Sequence, residues 1–117
     1  MKLKRIYDDA TKDDGVRILV DRVWPRGVSK KKANLDEWMK EIGPSKELRK
    51  WFNHEVDKFA IFKKKYEKEL QSGAQKANYD QLKQMQKENK TITLLFGAKD
   101  ETHNQAVVIK EMLEKHT

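Results

Sequence analysis

Between Asp21 and Gly27 a carboxylate, two guanidiniums and an indole crowd into one short stretch, Asp21-Arg22-Val23-Trp24-Pro25-Arg26-Gly27. Arg22 and Arg26 offer the planar forks that suit phosphate or carboxylate oxygens. Trp24 can stack on a ring or wall a pocket, and Lys99 and Asn104 are candidates to complete an anion's shell. Asp21, placed among arginines, is expected to stay ionised. His54 sits where a helical pattern breaks, one turn or so after Arg49, and a histidine there titrates near neutrality. Asp21 and His54 are therefore the candidate proton-transfer, or catalytic, groups, and Arg22, Trp24, Arg26, Arg49, Lys99 and Asn104 the candidate ligand-binding ones. The alternative is structural: Arg22 bridging to a helix carboxylate, Trp24 plugging the core, Lys99 simply solvated and His54 a hydrogen-bonding residue. Strand ends carry ordinary ion pairs as often as sites.

The elements that must position these groups follow from local signals. Lys2 to Tyr7 reads as a strand, Asp8 to Gly15 as a turn-rich link, and Val16 to Trp24 as a second strand that Pro25 ends. Pro25 and Gly27 fit the second and fourth positions of a type I turn aiming Arg26 outward. After a basic loop from Gly27 to Lys32, Asn34 and Glu37 form a capping box, and Leu35, Trp38, Met39 and Ile42 fall on one face of a short helix. Gly43-Pro44 stops it, and Ser45 caps a second helix carrying Leu48, Trp51 and Phe52. A third helix runs from Val56 to Leu70, ended by Ser72-Gly73. A fourth carries Ala77, Leu82 and Met85 and ends near Asn89. Thr91 to Phe96 is a β-rich strand, Gly97 to Glu101 a polar loop, and Thr102 the cap of a last helix bearing Ala106, Ile109 and Leu113.

Strands separated by helices predict an α/β fold: a single layered domain over residues 1–117. Its small, mostly parallel sheet has about three or more strands, flanked by about five helices. If the second and third strands are parallel neighbours, the loops after Trp24 and after Phe96 share the carboxyl edge of the sheet. That edge is the usual ligand crevice of open α/β sheets.

Composition narrows the function classes. Charged residues make up 38% and apolar ones 37%, with a net charge of +7 and no cysteine. Disulfides, thiolate metal sites and cysteine nucleophiles are thereby excluded. His54, His103 and His116 stand apart without metal-ligand spacing, so no metal site is predicted. No G-x-S-x-G elbow, P-loop or dinucleotide fingerprint is present, and no cofactor can be named. The basic start lacks the apolar run of a signal peptide, and no stretch reaches the roughly 18–20 apolar residues of a membrane span, so a cytoplasmic protein is expected. The positive charge favours anionic partners. A small anionic ligand is the leading expectation, and a nucleic acid bound through Arg26 with Lys30, Lys31 and Lys32, or through Lys63 to Lys65, is the alternative.

The run Arg17-Ile18-Leu19-Val20-Asp21-Arg22-Val23-Trp24-Pro25-Arg26-Gly27, followed by Trp38 with Lys40-Glu41-Ile42, Pro44-Ser45, Leu48-Arg49, Thr93 to Phe96, Ala98-Lys99-Asp100 and His103-Asn104, resembles the YeaO-like family of small bacterial proteins, a domain of unknown function designated DUF488. The resemblance covers residues from about Lys4 to Leu113. Its pattern falls on Asp21, Arg22, Trp24, Pro25, Arg26, Gly27, Ser45, Arg49, His54, Lys99, Asp100 and Asn104, several of which coincide with the inferred crevice. It implies no established activity. Longer relatives carry cysteines in the C-terminal segment, including a Cys-His-Arg element. Gly97 and Thr102-His103-Asn104 stand in that region here, so no thiol- or metal-based chemistry carries over by resemblance.

Overall fold

Four parallel strands in the order β1-β4-β2-β3 form the sheet: β1 Lys2–Arg5, β2 Val16–Leu19, β3 Glu37–Trp38 and β4 Ile92–Phe96. The computed structural model describes residues 1–115, so His116 lies outside the described residues. β2 and β4 are the central neighbours, with Arg17 opposite Thr93, Ile18 opposite Leu94 and Leu19 opposite Leu95. Their apolar, β-branched residues suit strands covered on both faces.

Alternation along these strands divides the interior into two cores. Ile18, Val20, Ile92, Leu94 and Phe96 face the larger one, under four helices: α2 Lys46–Phe52, α3 Phe59–Glu69, α4 Gly73–Glu88 and α5 Gln105–Lys115. Leu19, Leu95 and Ile6 face the smaller one, covered by Val28, Ala33, Trp24 and the short α1, Lys30–Ala33. Arg17 and Thr93 point to this second face too, and both are buried. Arg17 is neutralised there by Asp14 at 2.5 Å and by the carbonyls of Ala33 and Asn34. A buried guanidinium needs this full set of acceptors to be tolerated. Just before β2, Gly15 holds φ 64°, and a Cβ there would lie 2.4 Å from the Thr91 carbonyl oxygen, so the approach to β4 requires glycine.

Three expectations are corrected. β2 ends at Leu19 rather than at Trp24; Val20 makes one more bond, to the Leu95 carbonyl, and the chain then leaves the sheet. The helix expected from Asn34 to Ile42 is not formed. Asn34 is instead the left-handed C-cap of α1, Glu37–Trp38 pair with β2, and a 3-10 turn covers Lys40–Ile42. The backbone of Arg17 explains the change: its N–H donates to the Asp36 carboxylate at 2.8 Å and its carbonyl accepts from the Asp36 N–H at 2.9 Å. Those bonds draw the segment onto the sheet edge against its helical spacing, while Met39 and Ile42 still reach the larger core. At the last helix, α5 starts at Gln105 and its first turn is capped by Asn104, whose Oδ1 accepts from the Val107 N–H at 3.1 Å, not by Thr102.

The helices with clear caps and stripes formed as expected. Ser45 Oγ accepts from the Leu48 N–H at 3.2 Å and donates to Glu69 at 2.6 Å, capping α2 and tying it to α3. Among the described residues no helix is long and apolar enough to cross a membrane.

Candidate functional site

The carboxyl ends of β2 and β4 lie side by side, and a cavity of about 370 Å³ opens beyond them. Asp21, just past β2, turns its carboxylate across to the start of the loop after β4. One oxygen accepts from the Gly97 N–H at 2.8 Å, and the other accepts from the Gln105 side-chain amide on the first turn of α5. Glycine at 97 keeps this contact close: a Cβ there would sit 2.9 Å from the Asp21 oxygen and push the carboxylate aside. Burial pushes the Asp21 carboxyl up from 3.8, while the Gly97 N–H, the Gln105 amide and the charges of His54 and Arg49 pull it back, leaving it at about 6.

Arg22 also lines the cavity, and it is partly committed. Its Nε donates to the Pro44 carbonyl at 3.0 Å and one terminal nitrogen to the Gly43 carbonyl at 2.7 Å. It bridges to backbone carbonyls, where the sequence suggested a helix carboxylate. Arg49 projects from the last turn of α2, and its Nε is buried with no hydrogen-bond partner. A guanidinium N–H left in that state is costly unless something outside the chain accepts from it. Immediately beyond α2, Asn53 and His54 both hold left-handed backbone, at φ 47° and 56°. This turn swings exposed His54 to the cavity wall, its ring 6.2 Å from that of Phe52. The remainder of the wall is largely apolar, with Phe52 and Phe62 stacked at 4.3 Å.

Thus Asp21, Arg22, Arg49, His54 and Asn104, named from sequence, line one cavity. Asn104 is buried, and its amide is spoken for by the Asp100 carbonyl at 2.8 Å and the Val107 N–H. Trp24, Arg26 and Lys99 are not among the lining residues. The Trp24 indole donates to the Val28 carbonyl at 2.8 Å and meets Trp38 edge-on at 5.2 Å, bracing the turn from the smaller core. The turn centres on Arg26 and Gly27, with Gly27 at φ 78°, one residue later than the expected type I geometry. Arg26 is exposed, and its carbonyl accepts from the hydroxyl of Tyr7, a lining residue. Lys99 is exposed beside Ala98, another lining residue.

Gln105, Gly97, Tyr7 and the paired Phe52 and Phe62 rings were not legible as site residues. Only the position of Gln105 at the start of a helix that follows β4 hinted at its reach. Arg5 supports the loop from the far side, its Nε donating to the Ala98 carbonyl at 2.9 Å. His103 contacts Asp100 at 3.0 Å and the Phe59 ring edge-on at 5.1 Å, outside the cavity lining. The Thr102 N–H donates to Asp100, and despite burial's upward push this bond, with help from the His103 N–H and both side chains, holds the Asp100 carboxyl at about 2. Among the described residues no group of three or more His, Cys, Asp or Glu side chains is placed to hold a metal ion.

Comparison with known proteins adds a family. The model of the inactive DUF488-N3 subclade matches residues 1–117. The uncharacterized protein YeaO of Escherichia coli is 46% identical over 113 residues, covering 97% of this chain and 96% of its own length. The uncharacterized proteins Rv3073c of Mycobacterium tuberculosis and Mb3100c of Mycobacterium bovis are each 42% identical over 74 residues, 63% of this chain and of their own lengths. No solved structure matches the chain.

Proposed function

The chain belongs to the YeaO-like DUF488 proteins, within the inactive DUF488-N3 subclade, and on that premise we propose that it recognises a small phosphate- or carboxylate-bearing ligand in the crevice at the carboxyl edge of its sheet. The observation that carries the reading is the Arg49 guanidinium in the cavity wall, whose buried Nε has no partner within the chain. An anion in the cavity would meet this guanidinium's charge, for which no hydrogen bond within the chain competes at Nε. Arg22 shares the wall and adds to the attraction, and Asp21 and His54, both in the lining, are the groups we assign to proton exchange with what binds. Arg26 and Lys99, exposed next to the lining, would act by drawing anions to the mouth rather than by contact. The subclade's description as inactive favours recognition without turnover.

Thermal unfolding against phosphate, sulfate, sugar phosphates, nucleotides and carboxylates at matched ionic strength tests the reading. A ligand at about 100 times its dissociation constant adds ~2.7 kcal/mol, a shift of several degrees for a domain of this size. Arg49→Gln should remove the shift. A flat panel, or a shift undiminished in that variant, overturns the proposal. The nucleic-acid alternative rests on exposed Arg26 beside exposed Lys30, Lys31 and Lys32. It predicts a gel shift whose strength falls steeply with salt and with loss of those lysines together.

A further inference from the structure

The charge and shape of the crevice narrow the ligand. Two guanidiniums, Arg22 and Arg49, face one carboxylate, Asp21, which leaves a single positive charge before His54 is counted. A dianion entering here would meet the Asp21 carboxylate in the same small space, whereas a monoanion balances the site. Asp21 is largely ionised at pH 7.5, since its carboxyl is held at about 6, so this repulsion is present at neutral pH.

The walls point the same way. Val23, Pro25, Pro44, Phe52, Phe62 and Ala98 offer no side-chain hydrogen-bond groups to a sugar or a peptide. Phe52 and Phe62 lie stacked with an interplanar angle of 18° and, both buried, back the apolar side of the cavity. A volume of about 370 Å³ is near the lower end of small-molecule sites, enough for a single ring or a short chain. Inorganic phosphate would fill only part of this volume.

We infer that the ligand is a small monoanionic carboxylic acid with an apolar body, its carboxylate towards the Arg22 and Arg49 guanidiniums and its body along the apolar side of the cavity, where Val23 and Ala98 are accessible. The inference rests on the anion reading above and names its chemical class.

Isothermal titration of the full chain at pH 7.5 with the straight-chain acids from acetate to hexanoate and with benzoate tests it. Hexanamide, phosphate and glucose 6-phosphate serve as the contrasting probes. The dissociation constant should fall about fourfold per added methylene until the cavity is filled. Hexanamide should not bind, and Arg49→Gln should weaken every acid about tenfold or more, the range of a lost charge-assisted hydrogen bond. Val23→Asp, at an exposed wall position with little packing to lose, should weaken the acids as well and serves if Arg49→Gln does not fold. If phosphate or glucose 6-phosphate binds through Arg49 while the acid series is flat, the apolar-acid inference is overturned and the anion reading stands. If hexanamide binds as tightly as hexanoate, or the acids bind equally well to folded variants, both are overturned. Silence across all probes also overturns both.

Discussion

Asp21→Asn gives the sharpest test of how the crevice is built. In the folded protein the Asp21 carboxyl lies at about 6 against 3.8 for an unburied aspartate. The folded state therefore holds this proton more tightly than the unfolded chain. Stability from Asp21 is greatest below about pH 4, declines as pH rises through the interval from 3.8 to 6, and is level above it. A shift of about two units corresponds to ~3 kcal/mol as an upper limit, and to ~1–2 kcal/mol once water at the crevice mouth is allowed for. Asn is nearly isosteric. It can still accept from the Gly97 N–H, and a rotated Gln105 amide can accept from its NH₂ group. Its stability should not depend on this titration. Urea unfolding of both proteins between pH 4.5 and 7.5 leaves Asp14 and Asp100, both held at about 2, ionised throughout. The remaining titrating groups are common to both proteins, so the difference reads Asp21 together with its coupling to His54 and Arg49. Because pH 4.5 already lies above the unfolded value of 3.8, the wild type should lose only part of that amplitude, ~0.5–1 kcal/mol, relative to the Asn variant across that window. A flat difference, or a wild type that gains with pH, would refute the claim that Asp21 is desolvated by the loop after β4 and by α5.

Other perturbations probe separate parts of the construction. Gly97→Ala places a methyl group 2.9 Å from the Asp21 oxygen, so it should cost ~1–3 kcal/mol and blunt the Asp21 pH dependence; a Cm equal to wild type would show that the loop yields freely. Arg17→Met leaves Asp14 buried without its guanidinium and strips donors from Ala33 and Asn34, for an expected loss of ~3–5 kcal/mol in urea. Burial pushes Asp14 up, but bonds from Thr11, Lys4 and Arg17 outweigh it, so this stabilisation is present above about pH 4 and should fade as pH falls towards 2. Arg26→Ala should change stability by less than ~0.5 kcal/mol, because the residue is exposed and the hydrogen bond seen there uses its carbonyl. The same change should weaken anion binding more at low salt than at high salt; a large loss of stability would make the turn residue structural.

Residues whose signals are local were readable from the chain. The apolar β-branched runs at Val16–Leu19 and Ile92–Phe96, the Ser45 cap, the break after α2 at Asn53-His54 and the stripe of α5 each announce themselves within one or two turns of chain. The parallel α/β layout and the placing of the site at the carboxyl edge followed from the order of those elements. The same local reasoning misled at Leu35 to Ile42, where helical spacing was real but the Arg17–Asp36 bonds drew the segment onto the sheet edge. Propensity over so few residues is a small term beside one backbone hydrogen bond, one bond to the Asp36 carboxylate and a core to fill.

The crevice itself was only half legible. Its charged members carried a sequence signal because arginine, aspartate and histidine are rare in apolar surroundings. Its closing contacts carried none: Asp21 meets Gly97 and Gln105 across separations of 76 and 84 residues, through a glycine N–H and an ordinary amide. The sequence by itself determined which groups could do chemistry and which elements would hold them. Only the tertiary structure decided that Trp24 braces the smaller core, that Arg49 is left with a buried, unpartnered nitrogen, and that the Asp21 carboxylate lines the same cavity. Burial and missing partners are properties of the packed assembly, set by what arrives from distant chain, and no single stretch contains them.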